Sequence, residues 1–112
     1  MKLAELVDSL SLEVLTARTR LDRDVTNGYV SDLLSDVIAN VEEGSVWITI
    51  QRHINILGVA KLKDVAAIII SRGLQVDPEV IDKANQEDIT ILRSKESSFE
   101  VSGLIYQALQ RA

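Results

Sequence analysis

Apolar residues at Leu3, Leu6, Val7 and Leu10 recur at the three- and four-residue steps of one helical face, so the chain opens with an amphipathic helix. From Leu12 to Thr16 the period changes: Leu12, Val14 and Thr16 alternate with Glu13 and Leu15, the pattern of a short strand. Ala17 to Asp24 is polar and connects to a second strand, Val25 to Val30, which Asn27 and Gly28 interrupt. Ser31 or Asp32 supplies a cap for the next helix, with Leu33, Leu34, Val37, Ile38 and Val41 as its inward face and Gly44 closing it in a left-handed conformation.

The second half repeats this alternation. Ser45 to Ile50 reads as a strand, and Asn55 to Lys63 as a helix whose apolar residues spread over more than one face. Ala66 to Ile70 is a continuous apolar run, the mark of a parallel strand covered on both sides. Asp77 before Pro78 starts a helix with Val80, Ile81 and Ala84 facing inward, and Ile89 to Leu92 forms the last strand. Ser97 and Glu100 match a capping box ahead of a final helix that buries Val101, Leu104, Ile105, Ala108 and Leu109. Strands alternating with helices predict one α/β domain over residues 1–112: a three-layer α/β/α sandwich with a mainly parallel sheet of four or five strands.

Composition narrows the functional classes. The chain has no cysteine and one histidine, which excludes disulfides, thiolate metal sites and a cysteine nucleophile, and no metal or cofactor is expected. A net charge of −5 argues against nucleic acid, whose binding needs a positive field. The first ten residues carry Lys2, Glu5 and Asp8 and do not resemble a signal peptide, and no apolar run reaches membrane length; a cytoplasmic location without membrane contact is expected.

Signatures for phosphate loops, dinucleotide turns and nucleophile elbows are missing. His53 has no evident nucleophile to serve, so no catalytic residue is assigned and the chain is not expected to be an enzyme. Asp22, Asp24, Asp32 and Asp36 fit helix capping better than any cation loop. Arginine placement says more. Arg18, Arg52, Arg72 and Arg93 each follow a strand, and Arg23 precedes one, with Ser31, Gln51, His53, Ser71 and Ser94 nearby. Parallel sheets bind ligands beyond the carboxyl ends of their strands, and the guanidinium fork suits phosphate. These loops are therefore expected to share one rim and hold an anionic ligand, a nucleotide or phosphorylated metabolite.

The stretch Leu21 to Ile38 resembles the signature of the DRTGG-domain family, with Asp22, Arg23, Thr26 and Gly28 at the name-giving positions and Asn27 where many relatives carry glycine. Val46 to Gln51, Ala67 to Ile70 and Phe99 to Gly103 extend the likeness over essentially the whole chain. The resemblance implies a parallel α/β sandwich, similar to the N-terminal domain of HPr kinase/phosphorylase and more distantly to those of Mur ligases. It implies a regulatory or assembly role, with Asp22, Arg23, Thr26 and Gly28 as candidate ligand-binding residues, and no kinase activity. A stand-alone regulatory or ligand-binding module follows, expected to form a homodimer through the apolar Ile54–Leu62 helix. A structural adaptor, or an enzyme using the arginines and His53 on a phosphorylated substrate, are the alternatives.

Overall fold

Ten elements alternate through the computed structural model, which describes residues 1–112. Their order is α1 (Leu3–Leu10), β1 (Glu13–Val14), β2 (Asn27–Val30), α2 (Leu34–Asn40), β3 (Ser45–Thr49), α3 (Asn55–Lys63), β4 (Ala67–Ile70), α4 (Pro78–Gln86), β5 (Ile91–Arg93) and α5 (Ser98–Arg111). One five-stranded sheet runs β1-β5-β4-β3-β2. β2 to β5 are parallel, and β1 joins the edge antiparallel to β5 with Glu13 opposite Arg93.

The alternation of side chains along the inner strands divides the core into two. Val46, Ile48, Ile69 and Leu92 pack on one face with Leu3, Leu6 and Val7 of α1 and Val101 and Ile105 of α5. Trp47, Ile68, Ile70 and Ile91 pack on the other with α2, α3 and α4. Every residue of β3 and β4 is buried, as their continuous apolar runs require. The expected α/β/α sandwich is the observed fold.

Several local expectations change. Leu33 and Ile38 are 65% and 41% exposed, because α2 is only seven residues long and buries just Val37 along its length. Neither Ser31 nor Asp32 is the N-cap of α2; that position is Leu33, and Asp32 instead accepts from Thr49 Oγ1 at 2.8 Å and Ile50 N at 2.9 Å. Gly44 does adopt φ +80°, but it belongs to the turn entering β3 rather than to the helix end at Asn40. Leu104 is 42% exposed, turned away from the sheet. Ser97 caps α5 as expected, the Glu100 amide donating to Ser97 Oγ at 3.1 Å, while the Glu100 carboxylate closes on the Ser97 hydroxyl, which donates to Oε1 at 2.9 Å, rather than on the Ser97 amide of a full box.

Candidate functional site

Because β1 runs antiparallel to its neighbour, the expected arginine rim divides between two poles. The carboxyl ends of β2, β3, β4 and β5 bring Ser31, Gln51, Arg52, His53, Ser71, Arg72, Arg93 and Ser94 to one pole. Arg18 follows β1 and lies at the other, where Thr16 Oγ1 accepts from the Ile91 amide at the start of β5. Arg23 and Thr26 also lie there, ahead of β2. The shared rim therefore holds three of the five arginines, and Arg18 and Arg23 are removed from it by strand direction.

At the carboxyl pole the loops mostly satisfy one another. Arg93 makes a two-pronged contact with Glu13, 2.8 Å to each carboxylate oxygen from NH2, and donates to the Leu74 carbonyl. Arg52 donates to the Gln75 carbonyl at 3.0 Å, and Gln51 Nε2 to the Asp32 carbonyl at 3.0 Å. Nδ1 of His53 accepts from the Asn55 amide at 3.1 Å, a local turn at the start of α3. Ser71 and Ser94 are buried; Ser71 Oγ lies 2.6 Å from Ser98 Oγ, and Ser94 Oγ accepts from the Glu96 amide. The Arg72 and Gly73 amides bond across to the β5–α5 loop, at the Glu96 and Ser94 carbonyls. Arg72 alone among these arginines keeps an exposed side chain with no recorded bond, on a left-handed backbone at φ +63°.

The topology explains why the switch-point crevice of open parallel sheets is missing among these strands. Ligand crevices in open parallel sheets form where the strand order reverses and neighbouring helices part to opposite faces. Here β2, β3, β4 and β5 are each neighbour to the next in the chain, so α2, α3 and α4 all cover one face and no reversal occurs among the parallel strands.

The signature residues build a clamp at the opposite pole. Arg23 donates from NH1 to Asp64 Oδ1 at 2.8 Å and from NH2 to the Asp64 carbonyl at 2.6 Å, and NH1 also reaches the Val65 carbonyl at 3.3 Å. This bond holds the Asp64 carboxyl below its ordinary range. Thr26 Oγ1 donates to the Glu43 carbonyl at 3.0 Å, and its amide bonds to Gly44. Gly28 faces Ile105 of α5, where an added Cβ would meet a side-chain methyl at 3.7 Å, an ordinary contact. Asp22 is exposed and has no recorded bond. Arg23, Thr26 and Gly28 thus join the entrances of β2, β3 and β4 to α3 and α5, and Asp22 stands apart. No cluster of three or more acidic or histidine side chains is arranged to hold a metal.

A concavity lies elsewhere, in an open groove of about 840 Å³ between α5 and the edge strand β2. Its lining includes Val30, Phe99, Leu104, Tyr106 and Leu109, with Glu96 and Glu100 as its charged members. Phe99 is 88% exposed and Tyr106 68%. Of the residues expected to bind a ligand, Thr26 and Gly28 line this groove, but its α5 wall was not anticipated; the signal for that wall is Phe99, Gly103 and Tyr106 recurring at helical spacing beyond the buried face.

Comparisons with known proteins agree on the fold. The model for the DRTGG domain matches residues 5–108. HPr kinase/phosphorylase from Streptococcus uberis is 27% identical over a 117-position alignment that covers 90% of this chain and 38% of that protein. The CBS and DRTGG domains of the regulatory region of Clostridium perfringens pyrophosphatase, solved in complex with the activator diadenosine tetraphosphate, align with a TM-score of 0.76 at 24% identity. That alignment covers 96% of this chain and 47% of the solved one, so the chain spans less than half of either relative.

Proposed function

The chain belongs to the DRTGG-domain family, and on that footing we propose that it is a non-catalytic regulatory module that works through contact with another protein surface. The observation that carries this reading is the α5–β2 groove. Large aromatic side chains rarely stand free on a stable monomer in a contiguous patch, and such patches mark interaction sites. The carboxyl pole, by contrast, is closed by its own hydrogen bonds. Two relatives of which this chain spans only part support the reading too, since a unit carried in longer proteins acts through what it contacts.

Site-specific photo-cross-linking in the host cell tests it. A benzoylphenylalanine placed at position 99 is expected to form polypeptide adducts, and one placed at the exposed Glu79 on the opposite layer is not. Equal adduct yields from the two positions would remove the basis for the reading.

A second reading, binding of a small anion at the carboxyl pole, rests on Arg72. Its free guanidinium, with Arg52 and His53 at the same pole, offers donors for one phosphate group. Titration calorimetry with inorganic phosphate, ATP and diadenosine tetraphosphate decides this. Heat that disappears in Arg72→Ala favours it, and silence across the three ligands removes it.

A further inference from the structure

We propose that the exposed face of α5 pairs antiparallel with α5 of a second copy about a two-fold axis, which rests on the reading of that face as an interaction surface. Val101 and Ile105 turn inward, and two adjoining stripes turn outward at four-, three- and four-residue steps. The first is Phe99, Gly103, Tyr106 and Gln110; the second is Glu100, Leu104, Gln107 and Arg111.

The first stripe supplies shape. Phe99 and Tyr106 project from it, while an added Cβ on Gly103 would meet nothing within 4 Å, leaving an open recess between them. The second supplies charge complementarity, with an acid in the first turn and a base in the last. Two antiparallel copies place Glu100 of each against Arg111 of the other. The same axis sets Tyr106 of each over Gly103 of the other and Phe99 against Gln110. The Tyr106–Gly103 and Phe99–Gln110 pairings centre midway between Leu104 and Ile105 and Glu100–Arg111 one residue further on, a shift of about 1.5 Å that long charged side chains span, so one rotation brings all three within reach. A two-fold axis requires this of a self-complementary patch. A parallel arrangement would set Glu100 against Glu100 and leave the recess unfilled.

The dimer expected from the Ile54–Leu62 helix thus moves to another layer. In α3 the side chains of Ile56, Leu57, Val59 and Ala60 are buried within the chain, and Leu62 alone of that set is exposed.

Sedimentation velocity on the 112-residue chain tests the pairing. The wild type is expected to show a concentration-dependent monomer–dimer equilibrium across the micromolar range. Gly103→Gln fills the recess, its Cβ meeting no atom of the monomer within 4 Å, and replaces a poor helix former. It is expected to weaken the dimer at least about tenfold, the effect of losing close contact at an interface centre, with the melting temperature unchanged or raised. Glu100→Lys and Arg111→Glu each weaken the dimer alone, and an equimolar mixture of the two variants restores it as a heterodimer. A monomeric wild type, an unchanged equilibrium in Gly103→Gln, or a mixture that fails to associate overturns the proposal. The wider reading fails separately, through the adducts at position 99: adducts to a different polypeptide keep that reading and reject self-pairing.

Discussion

Arg23 grips Asp64 twice, at the carboxylate and at the main-chain carbonyl of the same residue, across 41 positions of sequence. Asp64 ends α3 in a left-handed conformation, φ 52°, and its carbonyl also accepts from the Gly44 amide at 3.0 Å. One guanidinium therefore fixes the α3–β4 turn against the segment entering β2. Removing it leaves two carbonyls and a carboxylate short of a donor. Arg23→Ala is expected to lower stability by about 2 kcal/mol, in line with charge-assisted hydrogen bonds. Arg23→Lys, which lacks the planar fork, should recover less than half of that loss. Urea denaturation of the three proteins measures both, and an unchanged midpoint in Arg23→Ala would show that the clamp is not structural.

Acid should loosen the same contact. The Arg23 hydrogen bond lowers the Asp64 carboxyl, Tyr29 lowers Asp36, and Lys61 lowers Glu87. A carboxyl depressed in the folded state contributes stability that is complete above its unfolded value, about 4 for Asp and Glu, and is lost as pH falls through the folded value. Stability is therefore expected to hold down to about pH 5 and to decline below it. Arg23→Gln should shallow that decline. An acid limb equally steep in the variant would assign the titration to other groups.

Two glycines near the signature should behave oppositely. Gly44 sits at φ +80°, and an added Cβ would lie 2.8 Å from Thr26 Oγ1, so Gly44→Ala meets both backbone strain and a clash. It is expected to cost about 2 kcal/mol. Gly28 needs no positive φ and would place its Cβ at ordinary contact distance from Ile105. Gly28→Ala should change stability by less than about 0.5 kcal/mol. Thermal melts of the pair provide the comparison, and a reversed order would contradict the packing described for β2 and α5.

Arg93 should matter locally rather than globally. Its side chain and that of Glu13 are 21% and 58% exposed, and exposed ion pairs contribute under about 1 kcal/mol. Yet this pair holds β1, whose two residues make it a weak edge. Arg93→Ala is expected to speed amide exchange at Leu15, which donates to the Ile91 carbonyl at 2.9 Å, while exchange within β4 stays unchanged. Uniform acceleration across the sheet would show that β1 is integral to the global fold.

Tyr29 gives an alkaline counterpart. Its hydroxyl donates to Asp36 Oδ2 at 2.8 Å, and that bond raises the phenol above its ordinary value. A raised group contributes stability that is complete below the unfolded value and is lost as pH climbs through the folded one. The wild type should therefore lose stability above about pH 10, and Tyr29→Phe should remove that limb. Denaturant midpoints across the alkaline range decide it.

The layer architecture, all five helices and the central strands were legible from periodicity together with local start and stop signals, because both depend on spacing along the chain. The Ser97–Glu100 cap was legible for the same reason: its partners lie three positions apart. Leu33, Ile38 and Leu104 carried the right period and still ended exposed, since burial at the edge of a helical stripe depends on which neighbour lies alongside. Strand direction was beyond reach as well. A two-residue β1 carries no signal of whether it runs with or against β5, yet that choice sends Arg18 to the pole opposite Arg52, Arg72 and Arg93. Arg23 likewise gave no sign in sequence that its partner would be Asp64. Local spacing determined the elements of this protein; the placement of charges relative to one another was decided only when distant segments packed, because electrostatic and hydrogen-bond contacts are set by distance in space and not along the chain.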